Sequence, residues 1–377
     1  MSEIWVLGAT GRSGRAIAAE LTGAGLSPVL VGRDTVRLHK VAATIDRNLR
    51  IVTAGSIDAV VRELSQSRPA VVINTIGPFS ETGLPIARAC LPGAHYVDIS
   101  NELFSVIALL GLHDEASSCG RMFVTGAGFG VLATESIVLK LCEGQPPAAS
   151  VRVDAMATVE AEPGRMGSAL AATIVDVLAA GGRRYEHGQL VRCRLVSDPE
   201  TLKLPDGFRV KTASGPSGEL EAARRASGAS FAVSASSMVP ASMMLRAVLP
   251  AILPLLKITP LRNLAIRQVA GIEFKPKQQS EAKAQERRRR FSWAHARVQW
   301  ASGAHGEGWL RTGDAHVFAT NVAVEVAKRL ARNEGRPGAY TPGALFGPGL
   351  AVDAGGQFFI DHAPFPTRQP STRRERA

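Results

Sequence analysis

An apolar stretch that runs directly into a glycine-spaced turn is the feature that most limits the fold of this chain. Ile4-Trp5-Val6-Leu7 has the composition of a buried strand, and Gly8-Ala-Thr-Gly11-Arg-Ser-Gly14 follows at once and opens a helical pattern. In such a unit, one glycine permits the tight turn, one lets the backbone approach a pyrophosphate, and one lets helix and strand pack closely. The helix N-terminus adds N–H groups and a partial positive charge that attract an anion.

The spacing of the glycines is GxxGxxG rather than GxGxxG, so a glycine turn without a ligand is the alternative interpretation. A second apolar segment, Pro28-Val-Leu-Val31, lies at the distance expected for the next strand of a dinucleotide-binding unit. This context favours a dinucleotide site. The predicted cofactor contacts in the turn are Gly8, Thr10, Gly11, Arg12, Ser13 and Gly14.

The residues after the second strand bear on which dinucleotide binds. An acidic residue at this position binds the free 2′-hydroxyl of NAD, whereas an arginine accommodates the 2′-phosphate of NADP. Here the sequence reads Gly32-Arg33-Asp34. Arg33 suits a bidentate contact with phosphate, and Arg12 is a plausible second cation. We therefore expect NADP(H), and Asp34 keeps NAD(H) open as the alternative.

Short β-branched segments alternate with helical patterns through about the first 125 residues. This alternation predicts an α/β fold: a Rossmann domain with a six-stranded, doubly wound parallel sheet. Later segments such as Ser150–Thr158 and Ser292–Trp300 resemble longer antiparallel strands and predict an inserted α+β substrate or dimerisation domain. The expected division is 1–126 for the NADP-binding domain, 127–308 for the inserted domain, 309–365 for a C-terminal segment that returns to the Rossmann domain, and 366–377 for a disordered basic tail.

The composition excludes several classes of protein. The chain has 377 residues, of which 45% are hydrophobic, and a mean hydropathy of +0.06, as expected for a soluble globular protein. Its net charge of +11 is concentrated partly in Arg287–Arg290 and the C-terminal tail, without the aromatic-interleaved stripe of a nucleic-acid binder. Four widely spaced cysteines predict neither a metal site nor a disulfide framework. We expect no nucleic acid and no metal.

The glycine turn begins at Gly8, which leaves no room before it for a signal peptide, so we expect a cytoplasmic protein. The apolar segment Met238–Leu261 is interrupted by Pro250 and Pro254, and its central apolar run is too short to span a bilayer. It predicts an apolar pocket or a subunit interface, and peripheral membrane contact is the alternative.

Several later motifs resemble the saccharopine dehydrogenase-like oxidoreductases, a group that includes saccharopine reductases and bacterial trans-acting enoyl reductases. The resemblance implies a Rossmann domain with an inserted α+β domain, a nicotinamide cofactor and a homodimer, but no particular substrate. Gly130, Ala133 and Glu135 stand where the family often has Asp, Pro and Asp. The segments that carry the resemblance are Val72–Phe79, Gly83–Cys90, Gly93–Glu102, His113–Ala116, Gly126–Glu135 and Gly338–Pro348.

The loops that follow the fourth, fifth and sixth strands supply the candidate chemistry, because ligands bind at the carboxyl ends of the strands in such sheets. Thr75, Gly77 and Pro78 are expected to run beside the nicotinamide ribose. Tyr96, Asp98 and Glu102 are the candidate catalytic residues, since one of them could protonate or position the substrate. Structural roles are the alternatives, such as a cap or loop contact for Asp98. Phe79 and Phe129 are the predicted substrate contacts, with plain core packing as the alternative for Phe129.

These features favour a reductase that uses NADP(H) to transfer hydride to a C=C, C=O or C=N bond of a moderately apolar small metabolite. Two other functions stay open. A cofactor-binding sensor or scaffold without catalysis is compatible with the lack of an unambiguous acid or base. A lipid-associated or membrane-associated reductase is compatible with the segment Met238–Leu261 and the basic tail.

Overall fold

The computed structural model describes residues 3–159, 164–165, 175, 181–238, 259–270, 273–274 and 290–360. Four segments fall wholly or largely outside them: the apolar segment Ser168–Ala180, for which the sequence predicts a helix, most of Met238–Leu261, the basic polar segment Lys275–Arg290 that contains Arg287–Arg290, and the tail 366–377. Among the described residues, no helix combines the length and the apolarity needed to cross a bilayer.

The helices and strands are numbered here in chain order. The strands are β1 Ile4–Leu7, β2 Val29–Gly32, β3 Ile51–Thr53, β4 Val71–Asn74, β5 His95–Asp98, β6 Met122–Val124, β7 Ser150–Met156, β8 Gly164–Arg165, β9 Gly182–Glu186, β10 Gln189–Cys193, β11 Glu200–Lys203, β12 Arg209–Ser214, β13 Phe231–Ser236, β14 Glu273–Phe274, β15 Ser292–Gln299, β16 His305–Thr312, β17 Gly338–Tyr340 and β18 Gln357–Ile360. The helices are α1 Arg12–Gly23, α2 Thr35–Ile45, α3 Ile57–Ser67, α4 Phe79–Cys90, α5 Leu103–Leu110, α6 His113–Ser118, α7 Phe129–Cys142, α8 Gly218–Ser227, α9 Thr259–Ala270, α10 Ala315–Ala331, α11 Pro342–Phe346 and α12 Gly349–Asp353.

The first sheet is parallel and has the strand order β17-β6-β5-β4-β1-β2-β3. The predicted doubly wound fold is therefore confirmed, with one more strand than expected. The additional strand β17 comes from the C-terminal part of the chain and pairs with β6. Because β1 is flanked by β4 and β2, the strand order reverses there, and the crevice at this point is where such sheets bind ligands.

Apolar side chains alternate between the two faces of this sheet, which is why the strands read as nearly continuous hydrophobic runs. Trp5 and Leu7 of β1 point to one face, where α3, α4 and α6 pack, and Val6 points to the other, against α1, α2, α7 and α10. The segment between β5 and β6 forms two helices, α5 and α6, because α5 ends at the C-cap Gly111.

The second sheet is mixed, and β7 lies at its centre, parallel to β13 and antiparallel to β15. Its order is β10-β9-β13-β7-β15-β16-β18, and the hairpin of β11 and β12 joins through β13. One face packs on α7 and α8 through residues such as Val153 and Ala296, while the opposite face carries Asp154 and His295. Helix α10 leaves this sheet after β16 and packs against α1.

Candidate functional site

The glycine turn has a conformation that only glycine accommodates at two of its positions. Gly8 has φ +78°, and both its N–H and that of Ala9 donate to Val31 O at 3.0 Å. A Cβ atom at Gly14 would lie 2.3 Å from Gly8 O, a backbone atom that cannot move aside. The third glycine therefore lets α1 begin directly against the turn, and the N-terminus of α1 faces the crevice.

The loop after β4 is attached to this turn, so the structure brings two predicted cofactor segments together. Thr75 Oγ1 donates to Leu7 O at 2.7 Å, and a Cβ atom at Gly8 would lie 2.7 Å from the same hydroxyl. Gly77 and Pro78, which are joined by a cis peptide bond, continue the loop to the start of α4. A side chain at Gly8 would thus displace the loop predicted to contact the nicotinamide ribose.

At the adenosine end of the crevice, Arg33 and Asp34 have different environments. Asp34 is the N-cap of α2, and its Oδ1 accepts a hydrogen bond from Arg37 N at 3.0 Å. Arg33 is exposed at the end of β2 and forms no ion pair with a described residue. The carboxylate that would favour NAD is thus engaged by a helix, while the guanidinium that would favour NADP faces solvent.

The other predicted contacts of the turn lie at the start of α1. Thr10 and Arg12 are both half-buried, and Thr10 O accepts a hydrogen bond from Arg15 Nη1 at 3.0 Å. Ser13 Oγ lies 3.5 Å from Nε2 of His316, in the first turn of α10. Sequence reasoning missed His316, because only the packing of α10 beside α1 brings it to this turn.

Tyr96 and Asp98 form a buried network instead of facing the crevice. Tyr96 is 0% exposed and Asp98 is 2% exposed. The Tyr96 hydroxyl donates to Asp98 Oδ2 at 3.0 Å and accepts a hydrogen bond from Asn74 Nδ2 at 3.1 Å. Asp98 Oδ1 accepts three further bonds, from Ser100 N, Thr125 Oγ1 and Gly126 N. This carboxylate therefore holds the loops that follow β5 and β6, which matches the alternative role foreseen for it.

Burial also acts on the protonation of these two groups. Desolvation raises the pKa of Asp98, although four hydrogen bonds to its oxygens oppose the change. Desolvation, with the nearby Asp98, raises the pKa of Tyr96 well above its ordinary value. A phenol with a raised pKa that is already donating to a carboxylate is poorly suited to protonate a substrate. The geometry favours positioning roles for both residues, and the catalytic assignment stays a prediction.

Glu102 acts as a cap for a helix that is distant in sequence. Its Oε1 accepts Phe79 N at 3.0 Å and its Oε2 accepts Ser80 N at 2.8 Å, which satisfies two N–H groups at the start of α4. Ser105 Oγ donates to the same carboxylate at 2.9 Å. Glu102 lies in the loop after β5, and by capping α4 it fixes the end of the neighbouring loop Thr75–Pro78. Its predicted catalytic role also stays a prediction.

The two phenylalanines predicted to contact the substrate have different degrees of burial. Phe79 is half-buried at the first position of α4. Phe129 is 7% exposed at the first position of α7 and makes an edge contact with Phe318 of α10, with 6.0 Å between the ring centroids. Phe129 therefore packs between two helices at the edge of the crevice, and a role for either ring in substrate binding stays a prediction.

Comparisons with known proteins agree with this architecture. No protein-family model matches the chain. A trans-acting enoyl reductase of Mycobacterium bovis is 30% identical over 146 residues, which cover 37% of this chain and 35% of that protein. A Mycobacterium tuberculosis protein provisionally named as a trans-acting enoyl reductase is 27% identical over 212 residues, 54% of this chain and 49% of that protein. The chain thus matches about half or less of the length of these curated relatives.

Among solved structures, saccharopine dehydrogenase (L-Glu forming) from Saccharomyces cerevisiae superposes with a TM-score of 0.59 at 10% identity, covering 96% of this chain and 100% of that one. The likeness extends over both sheets, although so low an identity speaks only for the fold. The predicted resemblance is confirmed: the chain has the fold of saccharopine dehydrogenase and is similar in sequence to trans-acting enoyl reductases, as expected of a saccharopine dehydrogenase-like oxidoreductase.

Proposed function

We propose that this chain is an NADP(H)-dependent oxidoreductase that reduces a C=C, C=O or C=N bond of a moderately apolar small metabolite. The choice of NADP(H) over NAD(H) rests on the contrast after β2, where Asp34 caps α2 and Arg33 is exposed. An exposed guanidinium at this position suits a 2′-phosphate. The names of the relatives support reduction.

The residues fit a dinucleotide along the carboxyl edge of the first sheet. Side chains are excluded at Gly8 and Gly14 by contacts with Thr75 and with the turn itself, so backbone N–H groups there can approach a pyrophosphate. The loop Thr75–Pro78 is held beside this turn by Thr75 at one end and by Glu102 at the other. When bound, NADPH supplies the hydride. The chain's own contribution is to orient the two reactants, exclude water and provide a proton.

The cofactor assignment is tested by measuring the affinities for NADPH and NADH by the fluorescence of the bound nicotinamide. We expect Arg33→Ala to weaken NADPH binding about tenfold or more, because a charge-assisted contact with phosphate is lost, and to leave NADH nearly unchanged. Arg47→Ala, which removes an exposed arginine from the loop between α2 and β3, serves as the matched control. Equal losses for both dinucleotides in Arg33→Ala would contradict the assignment.

Catalysis is distinguished from a sensor or scaffold function by NADPH oxidation with a panel of unsaturated and carbonyl compounds. Binding without any turnover would favour the sensor. Flotation with anionic liposomes at low salt tests the membrane-associated alternative, and a protein that does not float would argue against it. The homodimer and the cytoplasmic location stay predictions from the sequence.

A further inference from the structure

A buried carboxyl from the second part of the chain reaches the loops at the carboxyl edge of the first sheet. Glu219, in the first turn of α8, is 4% exposed. Its Oε1 accepts a hydrogen bond from Asn101 Nδ2 at 3.1 Å. A Cβ atom at Gly130 would lie 2.1 Å from the same oxygen, so the carboxyl rests on the first turn of α7 in space that only a glycine leaves open.

The two groups that Glu219 touches lie at the half of the crevice expected to hold the nicotinamide. Asn101 lies in the loop after β5, and Gly130 follows β6, whereas Arg33 marks the adenosine half. In doubly wound sheets the ligand lies across the carboxyl ends of the strands, with one nucleotide on each half. Asn101 is exposed and Gly130 is partly exposed, so this cluster borders the protein surface at the carboxyl edge of the sheet.

The position of Glu219 is held by backbone contacts between the two parts of the molecule. Gly218 N donates to Asn101 O at 3.0 Å and lies 3.2 Å from Asn101 Oδ1. An isolated antiparallel bridge joins Glu102 and Ser217. The carboxyl is thus positioned by the same loop that carries Glu102.

One oxygen of this carboxyl is not hydrogen-bonded within the described part of the protein. Glu219 Oε2 is buried and has no hydrogen-bond partner there. The hydroxyl of Ser217 donates to Ser234 Oγ at 3.1 Å. By contrast, the oxygens of Asp98 and Glu102 all accept hydrogen bonds. A buried polar atom without a partner calls for a functional explanation.

The surroundings of Glu219 favour its neutral form. Desolvation raises its pKa, and the neighbours that oppose the change are the neutral groups of Ser217, Asn101 and its own backbone N–H. The nearest acidic residue on the bridging loop, Glu102, accepts N–H groups of α4 instead. A carboxylic acid kept neutral by burial can donate a hydrogen bond to an oxygen that gains negative charge.

We propose that the Glu219 carboxyl is the acid that serves the hydride acceptor, and that this acceptor is a carbonyl compound or an α,β-unsaturated carbonyl compound. The inference rests on the proposed function. The acceptor carbon takes the hydride from NADPH, the π bond breaks, and the electron pair moves toward the carbonyl oxygen. Glu219 O–H donates to that oxygen and then gives up its proton, so that the product is neutral and Glu219 is left as a carboxylate, which water reprotonates. A neutral acid can donate a proton to a carbonyl oxygen, whereas a cationic iminium group already carries its proton. The neutral acid therefore favours a carbonyl acceptor.

Infrared spectroscopy tests, without a substrate, whether the Glu219 carboxyl is protonated. The difference spectrum between the wild type and Glu219→Gln at neutral pH is expected to contain the C=O stretch of a protonated carboxyl. Saturation with NADPH is expected to shift this band, because the nicotinamide half lies beside it. The matched control is Glu135→Gln, which removes another buried carboxyl with a raised pKa, one whose two oxygens already accept hydrogen bonds from Thr341 and Gly343; its band should not respond to NADPH.

A second variant guards against misfolding of the first. Gly130→Ala places a methyl group 2.1 Å from the present position of Glu219 Oε1, so the carboxyl must move aside. The protein keeps this carboxyl, and its infrared band should shift. With cinnamaldehyde as a probe of unsaturated carbonyl compounds, Glu219→Gln should lower kcat by about 100-fold and leave NADPH affinity intact. No protonated band, a band indifferent to bound NADPH, or unchanged kcat in Glu219→Gln would overturn the inference. Failure of the wild type to bind NADPH would instead argue against the proposed function.

Discussion

The hydroxyl of Tyr96 donates a hydrogen bond of 3.0 Å to Asp98 Oδ2, between two side chains that are both almost fully buried. Through Asp98, this bond is coupled to the backbone of the loops after β5 and β6. The pair therefore fixes the positions of these two loops at the edge of the crevice. We expect it to contribute to function by positioning the loops.

Tyr96→Phe should lower the free energy of unfolding by about 1–3 kcal/mol, because Asp98 Oδ2 and Asn74 Nδ2 each lose a buried partner. NADPH affinity should change little, since the loops remain attached to Asp98 Oδ1. Urea denaturation and NADPH titration measure the two effects. Loss of turnover in a variant with unchanged stability would support the catalytic role instead.

Glu102→Gln should lower stability by about 1 kcal/mol and weaken NADPH binding several-fold, because the charged cap of α4 also holds the loop Thr75–Pro78. Ser105→Ala is the matched control, as it removes one donor to Glu102 and leaves both capping bonds in place. If the two variants bind NADPH equally well, the cap does not position the loop.

His295 lies between two carboxylates on the second sheet, at 3.1 Å from Asp154 Oδ2 and 2.8 Å from Glu307 Oε1. Burial alone would lower its pKa, but the hydrogen bonds and charges of Asp154 and Glu307 outweigh burial, and the pKa is raised above 6.5. The imidazolium is thus favoured in the folded state. Its stabilising effect should be complete below the ordinary pKa and disappear as the pH rises through the raised one.

His295→Gln should therefore cost about 3 kcal/mol of unfolding free energy in mildly acidic solution and progressively less at alkaline pH. Chemical denaturation across this pH range gives the difference from the wild type. Glu307→Gln is the control, and because Glu307 is half exposed its loss should cost less than about 1 kcal/mol. A His295→Gln difference that is constant with pH would exclude the charged histidine.

Glu135 accepts hydrogen bonds from Thr341 Oγ1 and from Gly343 N, and so attaches the short helix α11 to α7. Desolvation raises the pKa of Glu135 from 4.5 to about 7. The folded state then binds a proton more tightly than the unfolded state does. As the pH rises from 4.5 to about 7, this group should therefore lower the free energy of unfolding by about 1.4 kcal/mol per pH unit.

The variant Glu135→Gln cannot titrate, so its unfolding free energy should depend less steeply on pH than that of the wild type in this range. The two pH profiles are compared by chemical denaturation in matched buffers. Parallel profiles would show that Glu135 has an ordinary pKa in the folded protein.

The sheet and the glycine turn could be predicted from the sequence because their signals are local. The strand–turn–helix pattern over residues 4–21 specifies the glycine turn through neighbouring residues, and the alternation of apolar segments indicates the parallel strands. Helix α10, Ala315–Ala331, also has a local signal, because its apolar residues recur with helical period. The short strand β17 carries no such signal and forms only because β6 offers an unpaired edge.

The roles of the acidic residues were decided by tertiary structure. The sequence by itself placed Asp98 and Glu102 at the carboxyl end of β5, where either could have faced a substrate. Only the folded chain brings Gly126 to Asp98 and the start of α4 to Glu102, and these contacts occupy their oxygens. The same folding carries Glu219, which is more than a hundred residues distant in sequence, to Asn101. Local patterns determine where a strand ends, but desolvation and hydrogen bonding between distant segments determine which carboxyl is left to act.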